Sequence, residues 1–192
     1  MFKAFLNRFL INILIMKTIV YYYSRKGSNR YLANKISNDL NCDIEEIKPR
    51  LNFFILMLLG INFGNTKLKN KVENYDKVIL CGPIWMGKLI IPLKNFINNN
   101  LKIINKLIFV TCCGSSFKDK DNKFGHNLVF KIIKNITGDK CVHCEAFPIG
   151  LVLTEEQKKE QDSYMKYQLN DENFKGEIVD IYNSFVAKIK EI

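Results

Sequence analysis

The sequence predicts an α/β fold: a three-layer α/β/α doubly wound sandwich around a five-stranded parallel sheet. Three observations carry this. Strand-like and helix-like segments alternate five times along the chain. The runs at 18–23, 76–81 and 106–111 are short and almost continuously apolar, as strands are when both faces of a parallel sheet are covered. Each of these runs ends in a loop that contains glycine, at 24–29, 82–87 and 112–117. In doubly wound folds ligands bind beyond the carboxyl ends of the strands, so these loops are the candidate site.

In chain order, the first strand (Thr18-Ile-Val-Tyr-Tyr-Tyr23) is β-branched and aromatic, which suits a packed pleated surface. After residues 24–29, Leu32, Ala33, Ile36 and Leu40 share one face of a helix. A strand feeding a helix through such a loop aims backbone N–H groups and the positive end of the helix dipole at one spot, which suits a phosphate. The alternation in Cys42-Asp-Ile-Glu-Glu-Ile47 marks a short strand near a sheet edge, and Pro49 ends it. Residues 51–63 are apolar all round, which suits a segment packed over one sheet face; the alternative is an exposed patch that meets a partner.

The strand at 76–81 leads into Gly82-Pro-Ile-Trp-Met-Gly87 and then a helix with Pro92 in its first turn and Leu93, Phe96 and Ile97 facing inward. The strand at 106–111 leads into Cys112-Cys-Gly-Ser-Ser-Phe117, and Phe124, Leu128, Ile132, Ile133 and Ile136 trace the face of the next helix. Residues 141–149 read as the fifth strand. Residues 154–171 are polar and read as a surface insertion before a last helix striped by Phe174, Ile178, Ile181, Tyr182, Phe185 and Ile189.

With 192 residues, no internal repeat and no flexible linker, the chain reads as one domain over 16–192. Residues 1–15 read as an extension outside the fold. Their apolar run, residues 9–16, is too short to span a bilayer and no small-residue cleavage site follows it; the rival reading is a membrane-surface anchor. A hydrophobic fraction of 47% excludes a disordered chain. The net charge of +10 favours anionic partners, but the charge is dispersed, without the basic block that marks specific nucleic-acid binding. The six cysteines sit in or beside apolar runs, which suits reduced thiols in a cytoplasm. Cys141-Val-His-Cys144 has metal-ligand residue types but no second ligand pair, and strand alternation would send its two thiols to opposite faces, so no metal site is assigned. No Ser–His–Asp or paired-carboxylate constellation is visible, which fits chemistry carried by a cofactor.

Over residues 17–149, and on to the C-terminus, the chain resembles the flavodoxin family. The segment Tyr22-Tyr-Ser-Arg-Lys-Gly-Ser-Asn-Arg-Tyr-Leu-Ala33 is similar to that family's phosphate loop, usually Ser/Thr-x-Thr-Gly-Asn-Thr. The segment Gly82-Pro-Ile-Trp-Met-Gly87 followed by Pro92-Leu93 is similar to the second flavin loop of flavodoxins and related quinone reductases. Thr111-Cys-Cys-Gly-Ser-Ser116 stands where the family closes on the flavin edge. The resemblance implies a sheet in the order 2-1-3-4-5, bound FMN, and electron transfer to redox partner proteins or a small-molecule acceptor.

The site residues it implies are Ser24, Arg25, Lys26, Gly27, Ser28 and Asn29 around the phosphate, and Pro83, Ile84, Trp85, Met86, Gly87, Cys113, Gly114 and Ser115 around the ring, with Trp85 stacked on it. Phe117 is a candidate second aromatic wall. Lys26, Ser28 and Asn29 depart from the family pattern, exchanging hydroxyls for a cation and an amide. Two other functions fit the same pattern: an NAD(P)H-dependent flavin or quinone reductase, and a binding module of this fold without FMN.

Overall fold

The structure is a computed structural model that describes residues 16–51, 61–85, 87–114, 125–160 and 163–192. Residues 1–15, and 52–60 of the apolar run, lie outside the described residues. The elements are β1 (Thr18–Tyr22), α1 (Ser28–Leu40), β2 (Asp43–Glu46), β3 (Lys77–Cys81), β4 (Ile84–Trp85), β5 (Lys88–Leu89), α2 (Ile91–Asn100), β6 (Lys106–Thr111), α3 (His126–Thr137), β7 (Cys141–Ala146), α4 (Glu155–Lys159), α5 (Ser163–Lys166) and α6 (Glu177–Glu191). Short 3-10 turns lie at Val72–Asn74, Gly138–Lys140 and Ile149–Leu151.

The main sheet is five-stranded and parallel, ordered β2–β1–β3–β6–β7. Counting its own strands only, that is 2-1-3-4-5, the order expected from the sequence. The central strand β3 is buried at every residue. Alternate residues of the central strands feed two apolar cores. Val20, Ile79, Ile108 and Val110 meet Leu32, Ile36, Ile178, Tyr182 and Phe185 of α1 and α6. Tyr21, Leu80 and Phe109 meet Phe96, Ile97, Val129 and Ile133 of α2 and α3.

Two lysines fasten α6. Lys77 Nζ donates to Ile189 O at 2.7 Å and Lys106 Nζ donates to Ile192 O at 2.5 Å. Both cations sit at a helix C-terminus, where the dipole favours positive charge. Among the described residues no helix is long and apolar enough to cross a membrane.

Four features differ from the sequence expectation. The fifth strand ends at Ala146 rather than 149. On α3 the buried line is His126, Val129, Ile133 and Thr137, while Leu128 and Ile132 are half-buried. Isoleucines at 132, 133 and 136 leave the phase of that helix undetermined, and packing against Phe109 of the sheet decides it. Residues 82–89 form a small antiparallel hairpin, β4–β5, rather than an irregular loop.

The fourth difference is on β7. Leu107 pairs with Cys141 but Ile108 pairs with His143, so Val142 is an extra residue in the strand. Such a bulge breaks the alternation. Cys141 and Cys144 therefore share one face, with their Sγ atoms 3.4 Å apart, instead of pointing to opposite faces.

Several phenols bind their protons more tightly in the fold than in the unfolded chain. Burial, then the hydrogen bond to Asp43, pushes Tyr75 up to about 12, and burial with the Asp171 contact does the same for Tyr31. Tyr21 and Tyr182 are raised further, by burial first. A raised folded value means stability that is complete below the ordinary tyrosine value of about 10 and lost as pH climbs through the folded value. Lys77, lowered by burial, and Cys141, lowered first by its hydrogen bond with Cys144, act in the opposite sense. Urea midpoints are expected to hold from neutral pH to about 9 and to fall steeply from there to about 12, and Tyr31→Phe with Tyr75→Phe should flatten the fall.

Candidate functional site

At the carboxyl edge of the sheet β1, β3 and β6 release their chains into three loops. A cleft of about 780 Å³ opens between them, within the ~300–1,000 Å³ range of small-molecule sites.

The first loop follows β1. Ser24 Oγ accepts the Gly27 N–H at 3.1 Å and closes the turn. Gly27 has φ 120°, a backbone region that side-chain-bearing residues rarely adopt. Helix α1 starts at Ser28 with no side-chain cap and no acidic residue in its first turn. The N–H groups of Ser28, Asn29 and Arg30 thus have no intrahelical acceptor. Ser24, Arg25, Lys26 and Ser28 line the cleft beside this helix end.

Asn29 is 5% exposed, and its carboxamide is committed. Nδ2 donates to Cys112 O at 3.1 Å and Oδ1 accepts the Cys112 N–H at 2.8 Å. The Cys81 thiol, at the end of β3, donates to Asn29 O at 3.4 Å. Asn29 therefore ties the end of the first loop to the starts of the second and third, and it also borders the cleft, where the sequence reading placed it among the phosphate contacts.

The second loop presents Pro83, Ile84 and Trp85 to the cleft. Trp85 is half-buried and pairs with Lys88 across the hairpin, with Gly87 at φ 70° in the turn. Gly87 does not line the cleft, and Met86 lies outside the described residues. Gly82 answers to packing rather than to ligand approach: a Cβ there would stand 2.7 Å from Leu93 Cδ1.

The third loop contributes Cys112, Cys113 and Gly114. Ser115, Ser116 and Phe117 lie outside the described residues. Burial raises the Cys112 thiol well above its usual value and pushes Cys113 up to about 12. Neither is a thiolate near neutral pH, so neither is an activated nucleophile.

The sequence reading missed two walls. One face of α2 borders the cleft with Ile91, Lys94, Asn95 and Asn98, a spacing that helical periodicity makes visible once the helix is placed. The other wall is Tyr164, Met165 and Tyr167, from the segment expected to be a surface insertion. Only its two aromatic residues in a polar stretch hinted at this.

Arg25, Lys26, Lys88 and Lys94 line the cleft, and no Asp or Glu does among the described residues. The arrangement offers backbone N–H groups, hydroxyls and cations for a phosphate, and an indole beside a largely apolar middle for a flat ring.

No family model matches the sequence, and no curated protein matches it. Solved structures do. A flavoprotein from Lactobacillus acidophilus NCFM, in complex with FMN, superposes with a TM-score of 0.56 at 17% identity, over 69% of this chain and 93% of its own. A candidate flavoprotein from Bacteroides eggerthii gives 0.56 at 18% identity, over 69% of this chain and 88% of its own. Another, from Bacteroides uniformis, gives 0.53 at 17% identity, over 79% and 99%. At such identities the likeness establishes the fold, which is flavodoxin-like.

Asn29→Ala is expected to orphan the buried N–H and C=O of Cys112 and to cost about 1–3 kcal/mol, read as a lower urea midpoint.

Proposed function

We propose that this protein binds FMN and transfers electrons, as a flavodoxin-like carrier. One observation carries the reading: a single cleft holds both an uncapped helix N-terminus behind the turn at Gly27 and the Trp85 indole. The complex of the Lactobacillus acidophilus protein with FMN, on the same fold, supports it.

The residues present fit the group. The backbone N–H groups of residues 28–30 would meet the phosphate with the helix dipole behind them. Ser24 Oγ accepts a backbone N–H, so it keeps its own proton to donate. Arg25 and Lys26 add the charge that the altered loop lacks in hydroxyls. Pro83, Ile84 and Trp85 would hold the ring and keep water from it, and the loop at Cys113 and Gly114 would meet its edge. Bound FMN would supply the redox chemistry, and the protein its binding, orientation and field.

The field has a definite sign. Among the described residues cations and no carboxylate border the cleft, so added negative charge on the cofactor is stabilised by them. Reversing Arg25 and Lys26 to Glu is expected to make the lower flavin potential more negative by roughly 60 mV or more, the one-electron equivalent of a tenfold change. Redox titration of the flavin-loaded proteins reads this.

Lys88 and Lys94 favour a second reading, a reductase that takes the anionic NAD(P)H at the same cleft. NAD(P)H oxidation by the purified protein separates it from the carrier. The visible absorbance spectrum, with an FMN titration, tests the shared premise: flavin bands and saturable uptake are expected. A colourless protein that takes up no FMN overturns it and leaves a binding module of this fold.

A further inference from the structure

Residues 163–171, ahead of α6, return to the carboxyl end of the sheet and seat on the site. Three loops each leave a glycine beneath it. A Cβ on Gly27 would stand 2.6 Å from Gln168 Oε1, one on Gly150 3.0 Å from Tyr164 Cε1, and one on Gly114 3.3 Å from Tyr164 Cβ. The phosphate loop also grips this strap directly. Lys26 Nζ donates to Met165 O at 2.5 Å, and Ser28 Oγ accepts the Leu169 N–H at 3.1 Å. One turn further on, Tyr31 Oη donates to Asp171 Oδ1 at 3.0 Å. Tyr164 is 39% exposed and borders the same cleft as Trp85. One cleft thus takes Trp85 from the hairpin and Tyr164 and Tyr167 from the strap, besides Tyr23 after β1, and the strap is held by the residues that flank the helix N-terminus.

We propose that Tyr164 is a ring-binding residue of this site, and that Lys26 ties the strap carrying it to the phosphate of the same ligand. The identity of the ligand rests on the FMN reading. The ammonium of Lys26 has three donors; one is on Met165 O, which leaves two for an anion. A phosphate therefore meets a cation already attached to the strap, and its charge holds that cation in place. Ring and phosphate ends of one ligand then act on the strap together. A flavin without a phosphate engages Tyr164 alone. Fixing the strap from both ends makes the protein select FMN over riboflavin by more than the phosphate contact itself.

The full-length protein provides the test, through titration of flavin fluorescence with FMN and with riboflavin, and tryptic cleavage after Lys166 of the strap read by mass spectrometry. Saturating FMN is expected to slow that cleavage, and riboflavin at equal occupancy to slow it less. Tyr164→Ala is expected to weaken FMN binding about tenfold at an unchanged urea midpoint, which separates a lost ring contact from a lost fold, while Tyr164→Phe stays near the parent value. Lys26→Met should speed cleavage after Lys166 in the ligand-free protein and cut the preference for FMN over riboflavin. Parent-like FMN binding by Tyr164→Ala, or equal protection by both flavins, overturns the proposal. A parent protein that binds neither flavin overturns the FMN reading and Tyr164's ring-binding role with it; unchanged ligand-free cleavage in Lys26→Met overturns the tie between loop and strap separately.

Discussion

The carboxamide of Asn29 holds together the parts of this molecule that a ligand would meet. It stands in the first turn of α1 and reaches the peptide of Cys112, 83 positions further along the chain, with one donor and one acceptor bond. Its own carbonyl takes the thiol of Cys81 at the end of the strand between. Each contact satisfies a buried polar group that has no water to turn to. Three loops leave three different strands, and each could drift independently. One buried side chain sets their spacing, and the cleft inherits its shape from that spacing.

Above this clasp the site is assembled from charge and flat surfaces. Among the described residues the mouth carries cations without carboxylates, which favours an entering anion. The thiols of Cys112 and Cys113, which sit beside the cleft, are raised by burial and act as packing. The strap from residue 163 onward closes one side, and its seats are glycines on three separate loops. That arrangement gives those glycines a reason independent of any ligand: they make room for Tyr164 and Gln168.

Much of this was legible in the residues. The almost unbroken apolar runs ending at Cys81 and Thr111 mark strands covered on both faces, and the alternation in residues 42–47 marks the edge strand that β2 becomes. The loops at 24, 82 and 112 converge because parallel strands all deliver their chains to one edge. Asn29 was the instructive case. Beside Ser28 it reads as a phosphate ligand, because neighbours in sequence share a loop. It borders the cleft, but its carboxamide is committed to Cys112, and no local signal announces a partner 83 residues away. The phase of α3 was ambiguous for a related reason: adjacent isoleucines give a helix two plausible inner faces, and the sheet selects one.

The sequence by itself determined the layers, the strand order through the family resemblance, and the three loops that border the cleft. These follow from apolar periodicity and short-range turn chemistry, which are properties of neighbouring residues. Only the tertiary structure decided the rest. Cys141 and Cys144 share a face because one extra residue, Val142, enters the pairing of β7 with β6, and a slip of one residue reverses the facing of everything beyond it. Asn29 became a clasp, and residues 163–169 became a wall of the site, because their partners are remote in the chain and near only once the sheet is built.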